Sequence, residues 1–185
     1  MNLFLWGALP YIAFTFLIVG TLVRFFYFER NWTTKSSQFL EKKQLRIANP
    51  LFHFGLLCVI GGHVVGVLIP KTWTAAIGIN DHMYHQGALY MGAVAGIIFI
   101  VGFLLLMKRR FTVPAMKVNT SGLDKWLYLF LTLAIFSGMA GTLLNASGFF
   151  DYRVSIGPWF RSLISFMPDP SLMEGVPFMF KFHML

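Results

Sequence analysis

IANPLFHFGLLCVIGGHVVGVLIP, residues 47–70, runs for 24 residues without a formal charge and holds two histidines, His53 and His63. A helix rises 1.5 Å per residue, so about 20 apolar residues cross a hydrocarbon layer of about 30 Å. No water is available there to satisfy the backbone, so a helix is the expected form. The same reading applies to three other charge-free runs, at 1–23, 86–107 and 126–150. We read four complete spans, at about 3–23, 48–70, 86–107 and 126–149. The composition agrees: 57% of the 185 residues are hydrophobic, 17% aromatic and only 12% charged, where a soluble domain has about a quarter charged. The predicted fold class is an all-α membrane bundle. It forms one domain over 1–185, with no internal repeat and no second domain.

Charge placement sets the topology. Arg24, Arg30, Lys35, Lys42, Lys43 and Arg46 fall between spans one and two, and Lys108, Arg109, Arg110, Lys117 and Lys125 between spans three and four. The connection between spans two and three offers only Lys71. The positive-inside rule puts the basic loops in the cytoplasm and the N-terminus outside. The first span has no base before it and Arg24 directly after it, which reads as an uncleaved anchor and not as a secretory signal. Arg153 and Arg161, in the last loop, are mild exceptions to the charge rule. The net charge of +8 is thus mostly topology and calls for no nucleic acid.

Trp6, Trp32, Trp73, Trp126 and Trp159 fall near span ends, as an aromatic belt would place them. Pro50 marks the first turn of the second helix, where proline is tolerated. Cys58, the one cysteine, is read as a packing residue. Residues 150–174 read as an outer interfacial loop. A new apolar run, VPFMFKFHML, begins at Val176 and stops at Leu185. Ten residues make only about 15 Å of helix, so the expectation is a fifth span whose remainder lies beyond this sequence.

The histidines carry the chemistry. Ionisable residues inside a membrane segment are functional candidates by default, and neutral imidazole is a common axial ligand of haem iron. His63 lies seven residues before Pro70, and His183 seven residues after Val176. Both therefore stand about 10 Å below the outer surface, where one haem b could be held between them. His53 lies about 15 Å deeper, and its partner is expected in the missing part of helix five. Two haems would then stack across the membrane. Ten residues at about 100° leave His53 and His63 about 80° apart around the helix. The same residues also admit a second reading, histidines bonded to neighbouring backbone or side chains.

Other candidates are less distinct. Gly55, Gly61, Gly62 and Gly66 would let a flat macrocycle approach the backbone, yet Gly62-x-x-x-Gly66 is also a helix-packing motif. His82 and His85, in NDHMYHQ, could bind or deprotonate a quinol or simply be solvated. Arg109 and Arg110 could reach the propionates of an inner haem or anchor a helix end, and Lys181 could snorkel or meet a propionate. No Walker loop, metal-binding Cys/His cluster or nucleophile–base motif is present.

The stretch NPLFHFGLLCVIGGHVVGVLIP, preceded by WTTKSSQFLEKKQL, resembles the gamma (cytochrome b) subunit of respiratory nitrate reductase. LLLMKRRF, DYRVSIGPWFRS and SLMEGVPFMFKFH extend the resemblance over essentially the whole chain. The resemblance implies five spans and two b haems. His63 and His183 would ligate the outer haem iron, and His53 the inner one. It also implies quinol oxidation near the outer haem, with electrons passed to an iron–sulfur (beta) subunit and on to a molybdenum-containing (alpha) subunit that reduces nitrate. Gly62 and His63 match the family's quinol site. Some members carry a lysine near the start of helix three, where this sequence reads HMYHQGAL, so His85 and Gln86 stand as substitutes. A related haem-b quinol-oxidising subunit of another respiratory or sulfur-metabolism oxidoreductase is the alternative.

Overall fold

The computed structural model describes residues 2–27 and 41–185. Among them there are only helices, turns and irregular segments, with no strand. Four helices are long and apolar enough to cross a membrane: α1 (Phe4–Tyr27), α2 (Lys43–Leu68), α4 (Asp81–Thr112) and α6 (Gly122–Leu144). Shorter helices join them, namely α3 (Lys71–Ala76), α5 (Pro114–Val118), α7 (Ile156–Ile164) and α8 (Phe178–Met184).

Each boundary has a local cause. Asn80 caps α4, its Oδ1 accepting from the Met83 amide at 2.9 Å, so this helix begins earlier than the charge-free run suggests. Ser121 and Asp124 form a reciprocal capping box at the start of α6, which satisfies amides that would otherwise be orphaned. Asn145 stops α6 five residues short of the expected 149. Its amide donates to the Phe150 carbonyl at 2.9 Å, and its Oδ1 accepts from the Phe150 amide at 3.0 Å. Helix α2 starts at Lys43, which places Pro50 inside the helix and not in its first turn. The polar turns before Pro50 carry Lys43 and Arg46, whose long stems can lift their charges to the interface.

The centre of the bundle is the α2–α4 crossing. A Cβ on Gly55 would stand 2.5 Å from the Phe99 amide nitrogen, and one on Gly102 only 2.3 Å from that of Phe52. Two glycines thus let two backbones meet, as small residues do where lipid tails remove the usual hydrophobic drive between helices. This corrects the Gly62–Gly66 expectation. A Cβ at Gly62 would meet nothing within 4 Å, and Gly66 abuts Tyr152 and Tyr84. Phe99, Phe103 and Ile135 fill the space between α4 and α6. Cys58 faces outward on α2, so it is not a packing residue within this chain.

At the opposite ends of the bundle lie two different structures. At the basic end, Arg109 is 3% exposed, and its Nε donates to Glu41 Oε2 at 2.8 Å. Arg110 donates to Asp124 Oδ2 at 3.0 Å and lies over the Tyr128 ring. Both arginines anchor helix ends. The other basic-loop residues Arg30 and Lys35, and Trp32 with them, lie outside the described residues.

At the far end, residues 150–174 fold into a cap and not a simple loop. Trp6, Ile156, Trp159, Leu163, Met173 and Val176 form its core. Trp159 Nε1 donates to the Trp6 carbonyl at 2.8 Å, and the two indoles meet edge to face at 5.7 Å. These two tryptophans therefore belong to a core, whereas Trp73 and Trp126 are exposed as belt residues are. Tyr11 Oη reaches the Leu163 carbonyl at 2.9 Å, which fixes the capped end of α1. Below that end α1 exposes Phe14, Phe16 and Phe26.

The exceptional bases of this end have structural duties. Arg153, 5% exposed, donates to Thr74 Oγ1 at 2.7 Å and stacks 3.7 Å above the Tyr84 ring. Arg161 donates to the Val67 carbonyl at 2.7 Å. Lys71 bridges Asp81 at 2.8 Å and Asp151 at 3.0 Å. Those bonds, Asp81 foremost, hold its ammonium above the ordinary lysine value. Burial, aided by Tyr84, pushes the Tyr152 phenol up.

Candidate functional site

Helix α2 sets two histidines by one device. A helical imidazole can turn back and donate from Nδ1 to the carbonyl four residues earlier, whose second lone pair is free. His53 does so to Asn49 at 2.9 Å and His63 to Val59 at 2.7 Å. In each, the proton sits on Nδ1, and Nε2 is left with a lone pair pointing away from its own backbone. Both rings are exposed on the surface of this chain. Backbone bonding and metal ligation are thus compatible, because they use opposite nitrogens.

Helix α8 brings the third histidine to one of these two. The His63 and His183 ring centroids lie 5.9 Å apart with the planes 37° from parallel. Metal–imidazole bonds of about 2 Å, plus the offset of each ring centre, put two imidazoles on opposite sides of one ion about 6 Å apart. The observed spacing fits. Among the described residues no cluster of three or more His, Cys, Asp or Glu side chains could hold a metal ion. Two nitrogen donors alone leave the remaining coordination positions to a non-protein ligand, and a planar tetrapyrrole supplies four. Gly61 and Gly62, one and two residues before His63, have no atom within 4 Å of a built Cβ, so a flat group could lie against this backbone.

Sequence reasoning missed what surrounds His183. Helix α8 packs on α6, and a Cβ at Gly138 would fall 2.7 Å from His183 Cε1. Ser137 Oγ lies 3.1 Å from His183 Nδ1. The signal was present, since Ser137-Gly138 is a polar–small pair in the middle of an apolar span. Phe180, one turn before His183, packs on Phe150 at 4.8 Å between ring centres. This contact ties α8 to the cap.

His53 stands nearly three turns along α2 from His63, beside Phe52 at 5.3 Å. No other histidine among the described residues lies at its level. His85 is tied to the α6–α7 connection: its Nε2 lies 3.2 Å from the Ala146 carbonyl, and a Cβ on Gly148 would come within 3.3 Å of it. Gly148 has φ +73°, a backbone that glycine adopts without strain. Gln86 is half-buried on the same helix and His82 is exposed. Lys181 is half-buried on α8.

Comparison with known proteins places this arrangement in context. The family model described as nitrate reductase gamma subunit matches residues 2–185. The chain is 47% identical over 182 residues to the nitrate reductase gamma chain of Bacillus subtilis, covering 98% of this chain and 82% of that one. It is 28% identical to the respiratory nitrate reductase 1 gamma chain of Escherichia coli, covering 100% of this chain and 83% of that one. The nitrate reductase-like protein NarX of Mycobacterium tuberculosis is 39% identical over 97% of this chain, which spans 28% of that longer protein.

Proposed function

Because the chain belongs to the nitrate reductase gamma-subunit family, we propose that it is the two-haem b membrane subunit of a respiratory nitrate reductase. In this reading it takes electrons from quinol near the capped face and delivers them to an iron–sulfur subunit. A molybdenum-containing subunit then reduces nitrate, so the lone chain does not. The capped face is the outer one by the positive-inside rule. The observation that carries the reading is the His63–His183 pair, 5.9 Å apart, with the His63 Nδ1 proton committed to Val59.

Haem b, when bound, supplies one-electron redox chemistry that no side chain here can supply. The chain's own part is to hold and tune. His63 and His183 would each supply an imidazole nitrogen to the outer iron, and His53 one to the inner iron. The carbonyls of Val59 and Asn49 fix the tautomers of His63 and His53 and raise the basicity of the donating nitrogens. The open backbone at Gly61 and Gly62 would leave room for the macrocycle, and Gly62 and His63 would contact the quinol. Near the capped end of α4, His85 would accept a quinol proton on the outer side and Gln86 would hydrogen-bond the quinol. The exposed apolar faces of α1, α2 and α4 suit lipid contact.

The test follows absorbance in membranes containing the complete complex. Added quinol should produce a reduced b-type spectrum, and nitrate should then reoxidise it. A b-type spectrum that nitrate leaves reduced would contradict the nitrate assignment, and no b-type absorbance at all would contradict the haem assignment.

A further inference from the structure

Ser137 sits in the middle of α6, 7% exposed, with apolar residues on either side along the helix. Its hydroxyl donates to the Ala134 carbonyl at 3.1 Å and lies 3.1 Å from His183 Nδ1. A hydroxyl has one proton. With that proton given to Ala134, only oxygen lone pairs face the imidazole. The hydroxyl oxygen beside His183 Nδ1 therefore favours a proton on that nitrogen. Gly138, the next residue, leaves no room for a Cβ, which would stand 2.7 Å from His183 Cε1.

We infer that Ser137 is a positioning residue for His183: its oxygen accepts the Nδ1–H and selects the tautomer that leaves Nε2 with the lone pair, while Gly138 sets how closely the ring lies to α6. The inference rests on the haem reading above and adds to it. The two histidines of the outer pair are then held differently. His63 Nδ1 gives its proton to a backbone carbonyl at 2.7 Å, which no substitution at that residue removes. His183 Nδ1 gives its proton to a side chain at 3.1 Å, so the basicity of this ligand is set by a replaceable residue. Hydrogen bonding to the outer nitrogen of a ligating histidine raises its donor strength and fixes its plane. A stronger donor favours the ferric state. Ser137 thus lowers the potential of the outer haem.

The experiment is a potentiometric titration with low-temperature electron paramagnetic resonance, on membranes carrying the wild-type chain, Ser137→Ala, Ser137→Thr and His183→Ala. Wild type is read first: without two b-type components the haem reading fails, and this inference with it. Given those components, Ser137→Ala should keep the outer haem but raise its midpoint. The expected size is about a tenfold change in the ferric-to-ferrous ratio at fixed potential, or about 59 mV for one electron. Its low-spin signal should move as well, since the ring plane is released. Ser137→Thr, which keeps the hydroxyl, should restore both, and His183→Ala should lose the outer component. Outer haem lost in Ser137→Ala but kept in Ser137→Thr supports the same role. An unshifted midpoint and signal in Ser137→Ala, or haem lost in both Ser137 variants, overturns the inference and leaves the haem reading standing.

Discussion

Gly102→Ala at the α2–α4 crossing should loosen the whole bundle. The added Cβ would lie 2.3 Å from the Phe52 nitrogen, 2.7 Å from its Cα and 2.8 Å from the Leu51 carbonyl carbon. All three atoms are backbone, so no side-chain rotation relieves the overlap. Restoring ordinary contact requires the helices to part by about 1 Å. Overpacking of this kind costs about 1–3 kcal/mol. At about 2–4 °C per kcal/mol for a chain of this size, the melting temperature should fall by about 2–12 °C. Gly92→Ala on the same helix is the control, because nothing lies within 4 Å of its built Cβ. The assay is thermal unfolding in a mild detergent, followed by intrinsic fluorescence. Because Phe52 adjoins His53, ligation at His53 should suffer before ligation at His63. Equal melting of Gly102→Ala and Gly92→Ala would refute the reasoning, since it would mean that the backbones do not meet there.

Other outcomes follow from the same structure. Gly138→Ala should expel His183 from its seat, because the Cβ would stand 2.7 Å from Cε1; half of the haem absorbance should go, whereas Gly141→Ala, whose Cβ would lie 4.0 Å from Phe180, should keep it. Trp159→Phe removes the 2.8 Å bond to Trp6; denaturant unfolding should show a loss of about 0.5–1.5 kcal/mol, and limited proteolysis should show freer α1. Alkaline pH should melt the cap. Lys71 and Tyr152 both have folded values above their ordinary ones, so each stabilises the folded form at neutral pH. That contribution is lost as pH rises past about 10. Trp6 and Trp159 fluorescence should report the loss, and Tyr152→Phe should weaken it.

The long charge-free runs made the spans legible, because a bilayer leaves the backbone no choice but helix. The ends were less so. Asn80 and Asn145 set the ends of α4 and α6 through side-chain bonds, and hydropathy does not register a cap. Residues 150–174 read as a loop because α7 is only nine residues long and buries Trp159 against Trp6, a partner 153 positions away. For the same reason the belt reading failed for those two tryptophans. In the site, depth counting along two helices brought His63 and His183 to one level, and their rings do lie together. Ser137 escaped notice because a lone serine in a span commonly bonds its own helix, and Ser137 does that too. Only the approach of α8 gives it a second partner. Gly62 looked like the packing glycine by motif, but Gly55 and Gly102 do that work, because which face of α2 meets α4 is a tertiary fact.

The most direct test of the account is haem content by the pyridine method, with reduced-minus-oxidised spectra, for wild type, His53→Ala, His63→Ala and His183→Ala. His63→Ala and His183→Ala should lose the same single b-type component, and His53→Ala the other one. If the His63 and His183 variants keep full haem, or lose different components, the two imidazoles do not share one iron and the central claim is wrong.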